Sequence, residues 1–380
     1  MAAPNLPADI HTPAYVLDVA SLKRNLETAA RLKRETGIKV LLATKAWAMP
    51  AAFPLMRDII DGTTASGEYE ARLGREEFGK EVHVYAPAYG PGEVERLAAI
   101  ADHIYFNSPG QLGLSMATAK AAGRKIGVRI NPGYSMATLG GELYDPCAPG
   151  SRFGTTKAEC ARIPWGEVDI LHAHALCEAR EEGSTGLIRH VAEHFAEEIR
   201  QVKAVNFGGG HFINRPGYKL EPLIAALQDF KRAFDVDIIL EPGAGLVVNA
   251  GWLVATVLDL HWNEKDIVIL DTSASTHMPD VLEVPYTPVI IGAKRPGVLA
   301  HSYVLGGKTC MTGDVIGEYS FAERLKVGDR LVFTDMMQYS FVKNTTFNGT
   351  PLPDIAMLHE NGTYEVVRSY GYEDFRRRLG

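Results

Sequence analysis

Ala204-Val205-Asn206-Phe207-Gly208-Gly209-Gly210 is a short apolar run that breaks into three consecutive glycines. The run reads as a buried strand and the glycines as the turn that ends it. Just before it, residues 192–202 have helical period, with Phe195 and Ile199 on one face and Glu193, Glu197, Glu198 and Arg200 on the water face. The same alternation recurs on both sides. Strands are expected at Val40-Leu41-Leu42-Ala43, Gly62-Thr63-Thr64-Ala65, Val82-His83-Val84-Tyr85, His103-Ile104-Tyr105-Phe106, Gly127-Val128-Arg129-Ile130 and Ile170-Leu171-His172-Ala173, then at the run above and at Ile238-Ile239-Leu240-Glu241. Eight βα units in roughly 210 residues match a closed, TIM-like (β/α)8 barrel. An open doubly wound sheet is the alternative, but the triple glycine lacks the dinucleotide-fingerprint spacing and comes late in the chain.

After residue 250 the texture changes to short strands with turn residues, among them Ile267-Val268-Ile269-Leu270, Val289-Ile290-Ile291 and Arg330-Leu331-Val332-Phe333. This is the pattern of a C-terminal all-β domain. Ala14-Tyr15-Val16-Leu17-Asp18 precedes the first helix and is expected to join it, so residues 18–250 form the barrel and 1–17 with 251–380 the β-domain. A loop-like stretch covers residues 132–150. The 380 residues carry 39 basic and 46 acidic groups for a formal charge of −7, and the basic residues are scattered apart from Arg376, Arg377 and Arg378, so no nucleic-acid partner is expected. Four cysteines, Cys147, Cys160, Cys177 and Cys310, show no CxxC pairing and are too few for a disulfide scaffold. The opening MAAPNLPADIHTP has neither a basic segment nor an apolar core, and no run approaches membrane-spanning length, so a soluble, cytoplasmic protein is expected.

Barrel enzymes place their chemistry at the C-terminal ends of strands. Here those ends hold Lys45, Ser66, Arg129, His174, Gly208 to Gly210 and Glu241. The set is what pyridoxal phosphate requires. Lys45, in Ala43-Thr44-Lys45-Ala46-Trp47, sits in an apolar setting that lowers an ammonium pKa and favours a Schiff base. The glycines, with Gly243 in Glu241-Pro242-Gly243-Ala244-Gly245, leave backbone N–H groups uncovered after strands seven and eight, a recurrent phosphate cradle. Glu241 could hold a proton on a pyridine nitrogen, or else form a structural ion pair with Arg129. His172 and His174 alternate, so one of the two should point into the barrel; too few further ligands cluster nearby for a metal. In Gly306-Gly307-Lys308-Thr309-Cys310-Met311-Thr312-Gly313-Asp314, a thiol able to protonate a carbanion stands near a carboxylate able to hold a substrate ammonium, although a buried core cysteine is the commoner situation.

Phe207-Gly208-Gly209-Gly210, Glu241-Pro242-Gly243, Thr309-Cys310 and Phe347-Asn348-Gly349 occur in the order found in the alanine-racemase-like, fold type III decarboxylases, which the chain resembles over nearly its whole length. His174-Ala175-Leu176-Cys177-Glu178, Gly306-Gly307-Lys308-Thr309-Cys310 and His277-Met278-Pro279-Asp280-Val281-Leu282-Glu283 are similar to the carboxynorspermidine and carboxyspermidine decarboxylase branch. The resemblance implies that Lys45 binds pyridoxal 5'-phosphate covalently, His174 stacks on its ring and Glu241 pairs with its pyridine nitrogen. It also implies that Gly208, Gly209, Gly210 and Gly243 hold the phosphate, with Tyr339 touching it. A head-to-tail homodimer would share its sites, Cys310 protonating the reacting carbon and Asp314 binding a substrate amine across the interface. Two departures stand out: Met311 replaces the glutamate that follows this cysteine in diaminopimelate decarboxylases, and Ala244 the arginine that follows Glu-Pro-Gly in ornithine decarboxylases.

The implied reaction is decarboxylation of carboxynorspermidine or carboxyspermidine to norspermidine or spermidine, in polyamine biosynthesis. Diaminopimelate, ornithine or arginine decarboxylation is the alternative. A racemase needs a second base on the opposite face, for which the sequence offers no candidate, and a non-catalytic cofactor-binding regulator would be expected to lack Lys45 or Cys310.

Overall fold

The computed structural model describes residues 4–136 and 145–380. Residues 137–144, within the loop-like stretch 132–150, lie outside the described residues. The first strand, β1 (Ala14–Asp18), belongs to the second of two compact units, which are residues 25–246 and residues 1–24 with 247–380.

The unit of residues 25–246 contains β2 (Lys39–Ala43), β3 (Gly62–Ala65), β4 (Glu81–Tyr85), β5 (His103–Phe106), β6 (Lys125–Asn131), β7 (Thr155–Thr156), β8 (Ile170–His172), β9 (Ala204–Asn206) and β10 (Asp237–Leu240). All pair in parallel. Eight of them, in the order β2-β3-β4-β5-β6-β8-β9-β10, close into a barrel because β10 also pairs with β2, and the short β7 is appended to β6. The strands are almost wholly buried because helices cover a parallel barrel on the outside and side chains fill it within. The helix Leu220–Phe234 supplies one such cover, burying Leu220, Leu223, Ile224, Leu227 and Phe230 at helical spacing. The helix Pro109–Ala121 starts with proline after Ser108, whose hydroxyl accepts the N–H of Gln111. In the helical stretch around 192–202, Phe195 interrupts with non-helical backbone between Glu181–His194 and Ala196–Ile199. Phe195 and Ile199 are buried there, but Glu198 is too, because Lys157 Nζ pairs with it at 2.6 Å.

In the other unit β1 runs antiparallel to β11 (Gly251–Asn263) and is followed by β12 (Lys265–Leu270), β13 (His301–Gly306), β14 (Val315–Phe321), β15 (Arg330–Thr334), β16 (Asp354–Leu358) and β17 (Tyr364–Arg368). The sheet order is β14-β13-β12-β11-β1-β16-β17, with β15 also on β11. Ile10, Ala14, Val16, Val254 and Ala356 form a core cluster on it. Val289-Ile290-Ile291 forms no strand: Ile290 makes a single bridge to Phe333. Among the described residues no helix is long and apolar enough to cross a membrane.

Candidate active site at the barrel mouth

Lys45 lies in the turn 44–46 directly after β2. The turn is pinned to its neighbours: the backbone N–H and the hydroxyl of Thr44 both donate to the carbonyl of Thr64 on β3, at 3.1 and 3.0 Å, and the N–H of Ala43 donates to the carbonyl of Pro242 at 3.3 Å. Gly243 permits that approach, since a Cβ there would stand 2.6 Å from Ala46 Cβ and 2.9 Å from the carbonyl oxygen of Ala43. The Lys45 side chain is accessible yet surrounded by barrel walls, and this desolvation, with the Arg129 cation, pushes its pKa below the ordinary lysine value while Glu241 opposes the shift. Ser66 is exposed just past β3.

Glu241, buried just past β10, donates its backbone N–H to Gly208 at 2.8 Å, so the loops after β9 and β10 are joined. Its Oε1 accepts from Asn206 Nδ2 at 2.7 Å, and its Oε2 lies 3.6 Å from His172 Nε2, beyond hydrogen-bond distance. His174 is fixed by the N–H of Gly209, which donates to its Nδ1 at 3.1 Å. Burial, with Lys45 and Arg129 nearby, holds both histidines well below the usual imidazole pKa, so both are neutral.

Both histidines reach Glu241, their ligand-type atoms lying with its carboxylate within 4.8 Å of one another. This corrects the expectation that one of the two points elsewhere: residues two apart in an extended chain lie on the same face, and His174 follows His172, the last residue of β8, by two. The glycine run is corrected in part as well: Gly208 N–H is taken by Asn206 Oδ1 at 2.8 Å and Gly209 N–H by His174, so two of its three N–H groups already have protein acceptors. Such a donor trio also suits a metal ion, but Gly209 occupies His174 Nδ1, and Lys45 and Arg129 stand close enough to act electrostatically on both rings.

The guanidinium of Arg129 lies between the rings of Tyr85 and Phe153, 4.6 and 4.5 Å from their centroids, and donates to the carbonyl of His174 at 2.8 Å. It makes no ion pair with Glu241 among the described residues. Sequence reasoning missed Asn206, Tyr85 and Phe153 as parts of this mouth and left open which of His172 and His174 belongs to it. Asn206 had a signal, since it stands two residues before the glycine run on a strand that should be apolar.

At the far ends of the strands, Glu81, His83 and His103 form a second histidine-carboxylate cluster. The two rings stack at 3.8 Å with planes 20° apart, so they cannot both aim a nitrogen along its lone pair at one ion, and Lys39 pairs with Glu81.

In the sheet unit, Cys310 is exposed rather than buried in the core, and its backbone N–H donates to Asn348 Oδ1 at 2.7 Å, which joins the Thr309-Cys310 and Phe347-Asn348-Gly349 motifs. Asp314 departs from the expected substrate contact. It is buried, and its carboxylate accepts from Ser273 Oγ at 2.8 Å, Ala274 N at 2.8 Å, Ser275 N at 3.4 Å, and Thr309 N and Oγ1 at 3.2 and 2.5 Å. Five donors saturate a carboxylate, leaving nothing for a substrate ammonium. Tyr339 is half-buried with φ +26°, an uncommon backbone for an aromatic residue.

A barrel with a lysine, a carboxylate and a histidine at its mouth, in one chain with an all-β domain, defines a class of pyridoxal-dependent enzymes. Residues 14–337 match the family of pyridoxal-dependent decarboxylases with a C-terminal sheet domain, and the chain belongs to it. It is thus a carboxy-lyase of that family. It is 38% identical to the carboxynorspermidine/carboxyspermidine decarboxylase of Campylobacter jejuni, covering 97% of this chain and 98% of that one. It is also 41% identical to the carboxyaminopropylagmatine decarboxylase of Synechocystis, covering 98% and 96%. The crystal structure of carboxynorspermidine decarboxylase from Campylobacter jejuni complexed with norspermidine superposes with a TM-score of 0.89 at 36% identity, covering 97% of this chain and all of that one.

The residues present fit the family's cofactor. Lys45 has an amine of lowered pKa, Glu241 keeps one carboxylate oxygen without a hydrogen bond from protein among the described residues, and Gly208 leaves space where a Cβ would come within 2.7 Å of His174.

Proposed function

We propose that the chain decarboxylates the amino-acid end of a carboxylated polyamine, carboxynorspermidine or carboxyspermidine, in polyamine biosynthesis. Near-full-length similarity at 38% and 34% to two enzymes bearing those substrates in their names carries this reading. Carboxyaminopropylagmatine is the second reading, favoured by the 41% identity to the Synechocystis enzyme. The three substrates share the reacting end and differ at the other: carboxynorspermidine and carboxyspermidine by one methylene, worth only about 1–3 kcal/mol of discrimination, and carboxyaminopropylagmatine by its guanidino group.

When bound, pyridoxal phosphate supplies an electron sink for the pair left behind by departing CO₂. Lys45 holds it covalently, its lowered pKa providing the neutral amine. His174, locked by Gly209, would stack on its ring, and Glu241 would pair with its pyridine nitrogen. Gly210 and the turn at Gly243 would carry the phosphate, with Ser66 contributing. Arg129 keeps cationic charge beside Lys45. The exposed thiol of Cys310, presented by Asn348, returns a proton to the reacting carbon from a second copy in a head-to-tail homodimer. The cytoplasm, where these substrates arise, is the setting.

The test is CO₂ release and amine product from purified protein with pyridoxal phosphate, offered carboxynorspermidine, carboxyspermidine, carboxyaminopropylagmatine, diaminopimelate, ornithine and arginine in turn. Turnover of the carboxylated triamines supports the first reading and preference for the guanidino compound the second. Turnover of diaminopimelate, ornithine or arginine alone overturns both.

A further inference from the structure

Asn206 closes β9 inside the barrel and is fully buried. Every polar atom of its side chain is engaged. Nδ2 donates to Glu241 Oε1 at 2.7 Å and to the Tyr105 hydroxyl at 3.1 Å, while Oδ1 accepts the N–H of Gly208 at 2.8 Å. Turning the amide over would set its oxygen against the Glu241 carboxylate and its NH₂ against the Gly208 N–H, so one orientation satisfies all three contacts.

That orientation fixes the remaining protons. Because the Tyr105 oxygen accepts from Asn206, its own proton goes to His83 Nδ1, 2.9 Å away. His83 then carries its proton on Nε2, which donates to Glu81 Oε2 at 3.2 Å, and the other Glu81 oxygen pairs with Lys39 Nζ at 2.5 Å. Gly127 makes room for this arrangement, since a Cβ there would lie 2.1 Å from the Tyr105 ring. A continuous chain of hydrogen bonds therefore joins the first residues of β2 and β4 to the carboxylate past the end of β10. A side-chain amide holds no readily transferable proton, so the chain orients groups and does not relay protons.

We propose that Asn206 is a positioning residue, anchored from below by Tyr105 and His83, that fixes Glu241 with Oε2 toward the cofactor and sets Gly208 in the same act. This rests on the proposed role of Glu241. The ring-nitrogen contact and the start of the glycine turn then move as one piece, since one amide holds both.

Asn206→Asp keeps an oxygen for Gly208 but sets a second carboxyl against Glu241, cutting one tether and sparing the other. In the holoenzyme kcat should fall about 10- to 100-fold, the usual effect of removing a partner that orients a working group, with KM little changed. The visible absorbance of the bound cofactor should change its pH dependence as it does in Glu241→Gln, and the apoprotein should bind pyridoxal phosphate more weakly. In the double variant the losses should not add. Tyr105→Phe, which frees the amide from below, should act in the same direction and again without additivity, and it decides the matter if Asn206→Asp does not fold. Losses that add, or a parental kcat and absorbance profile in the folded variant, overturn the role of Asn206. A parental kcat and absorbance in Glu241→Gln instead overturns the role of Glu241 itself.

Discussion

Gly209 donates its backbone N–H to Nδ1 of His174 across 3.1 Å. A glycine run at this place in a barrel suggests an open cradle for phosphate, but here its first two members work on the protein itself. Gly208, at φ +67°, leaves the space in which the His174 ring lies, and Gly209 sets the tautomer of that ring by occupying Nδ1. Among the described residues Gly210 is the member of the run whose N–H has no protein acceptor.

Gly208→Ala should therefore act through the histidine. The new Cβ would meet His174 Cβ at 2.6 Å and its Cγ and Nδ1 at 2.7 Å, and the left-handed backbone adds about 1–2 kcal/mol of strain for a non-glycine residue. The expected outcome is weaker binding of pyridoxal phosphate to the apoprotein by at least about tenfold, roughly the equivalent of 1.4 kcal/mol, together with a lower melting temperature. Fluorescence titration and calorimetry measure the two.

The barrel was legible because a parallel strand buried on both faces is a short run of apolar or β-branched residues, and the expected runs at residues 62–65 and 103–106 coincide with β3 and β5. The strand ends identified Lys45 and Glu241 for the same reason. What the chain hid were relations across strands. Asn206 and Tyr105 lie 101 residues apart and meet only because the barrel closes, and Asp314 looks like a free carboxylate until Ser273 and Thr309 fold around it. Residues 289–291 fall short of a strand because their pairing with β15 stops at the one bridge from Ile290 to Phe333, flanked by Ile291 N–H to the Val332 carbonyl and Thr334 N–H to the Val289 carbonyl.

Lys45→Ala should abolish both turnover and the visible absorbance of the bound cofactor. A finer test concerns Arg129, whose cation helps to lower the Lys45 pKa. Removing it in Arg129→Met raises that pKa, so the rate at which apoprotein takes up pyridoxal phosphate covalently should shift its pH dependence to higher pH. A shift to lower pH would contradict the electrostatic reading.

Gly243→Ala should disturb Lys45 without touching it. The added Cβ would press on Ala46 and on the carbonyl of Ala43, at the two ends of the turn, and overpacking of this kind costs about 1–3 kcal/mol. Lower thermal stability and a reduced kcat are expected together, read by calorimetry and by CO₂ release.

Acid should destabilise the fold through its buried neutral histidines. Burial lowers the pKa of His277 and of His211 from 6.5 to about 4. As the pH falls below about 6.5 the unfolded chain takes up protons that the folded chain refuses, so stability is full above that value and declines toward about pH 4, by up to about 3 kcal/mol for each residue. His277→Gln can still donate to the carbonyl of Pro351, which His277 Nε2 meets at 3.0 Å, and removes the titration. Its urea midpoint should vary less between pH 7 and pH 4.5 than that of the parent.

Asp314 separates a structural carboxylate from a substrate-binding one. Its five donors come from Ser273, Ala274, Ser275 and Thr309, so it ties the start of the short helix Ala274–His277 to the loop that carries Cys310. Asp314→Ala leaves these donors without an acceptor, at about 1–3 kcal/mol for each of the buried Ser273 and Ala274 groups and less for those of half-buried Ser275 and Thr309, and a loss of at least about 3 kcal/mol in stability is expected. Asp314→Asn keeps the shape, turns one oxygen into a donor facing other donors, and should lose less. In both variants the melting temperature should fall, and in the fraction that remains folded KM for the polyamine substrate should stay near that of the parent. Cys310→Ala should do the reverse, lowering kcat with an unchanged melting temperature, since its thiol is exposed and the bond to Asn348 is made by its backbone. A raised KM in Asp314→Asn without loss of stability would return Asp314 to the substrate.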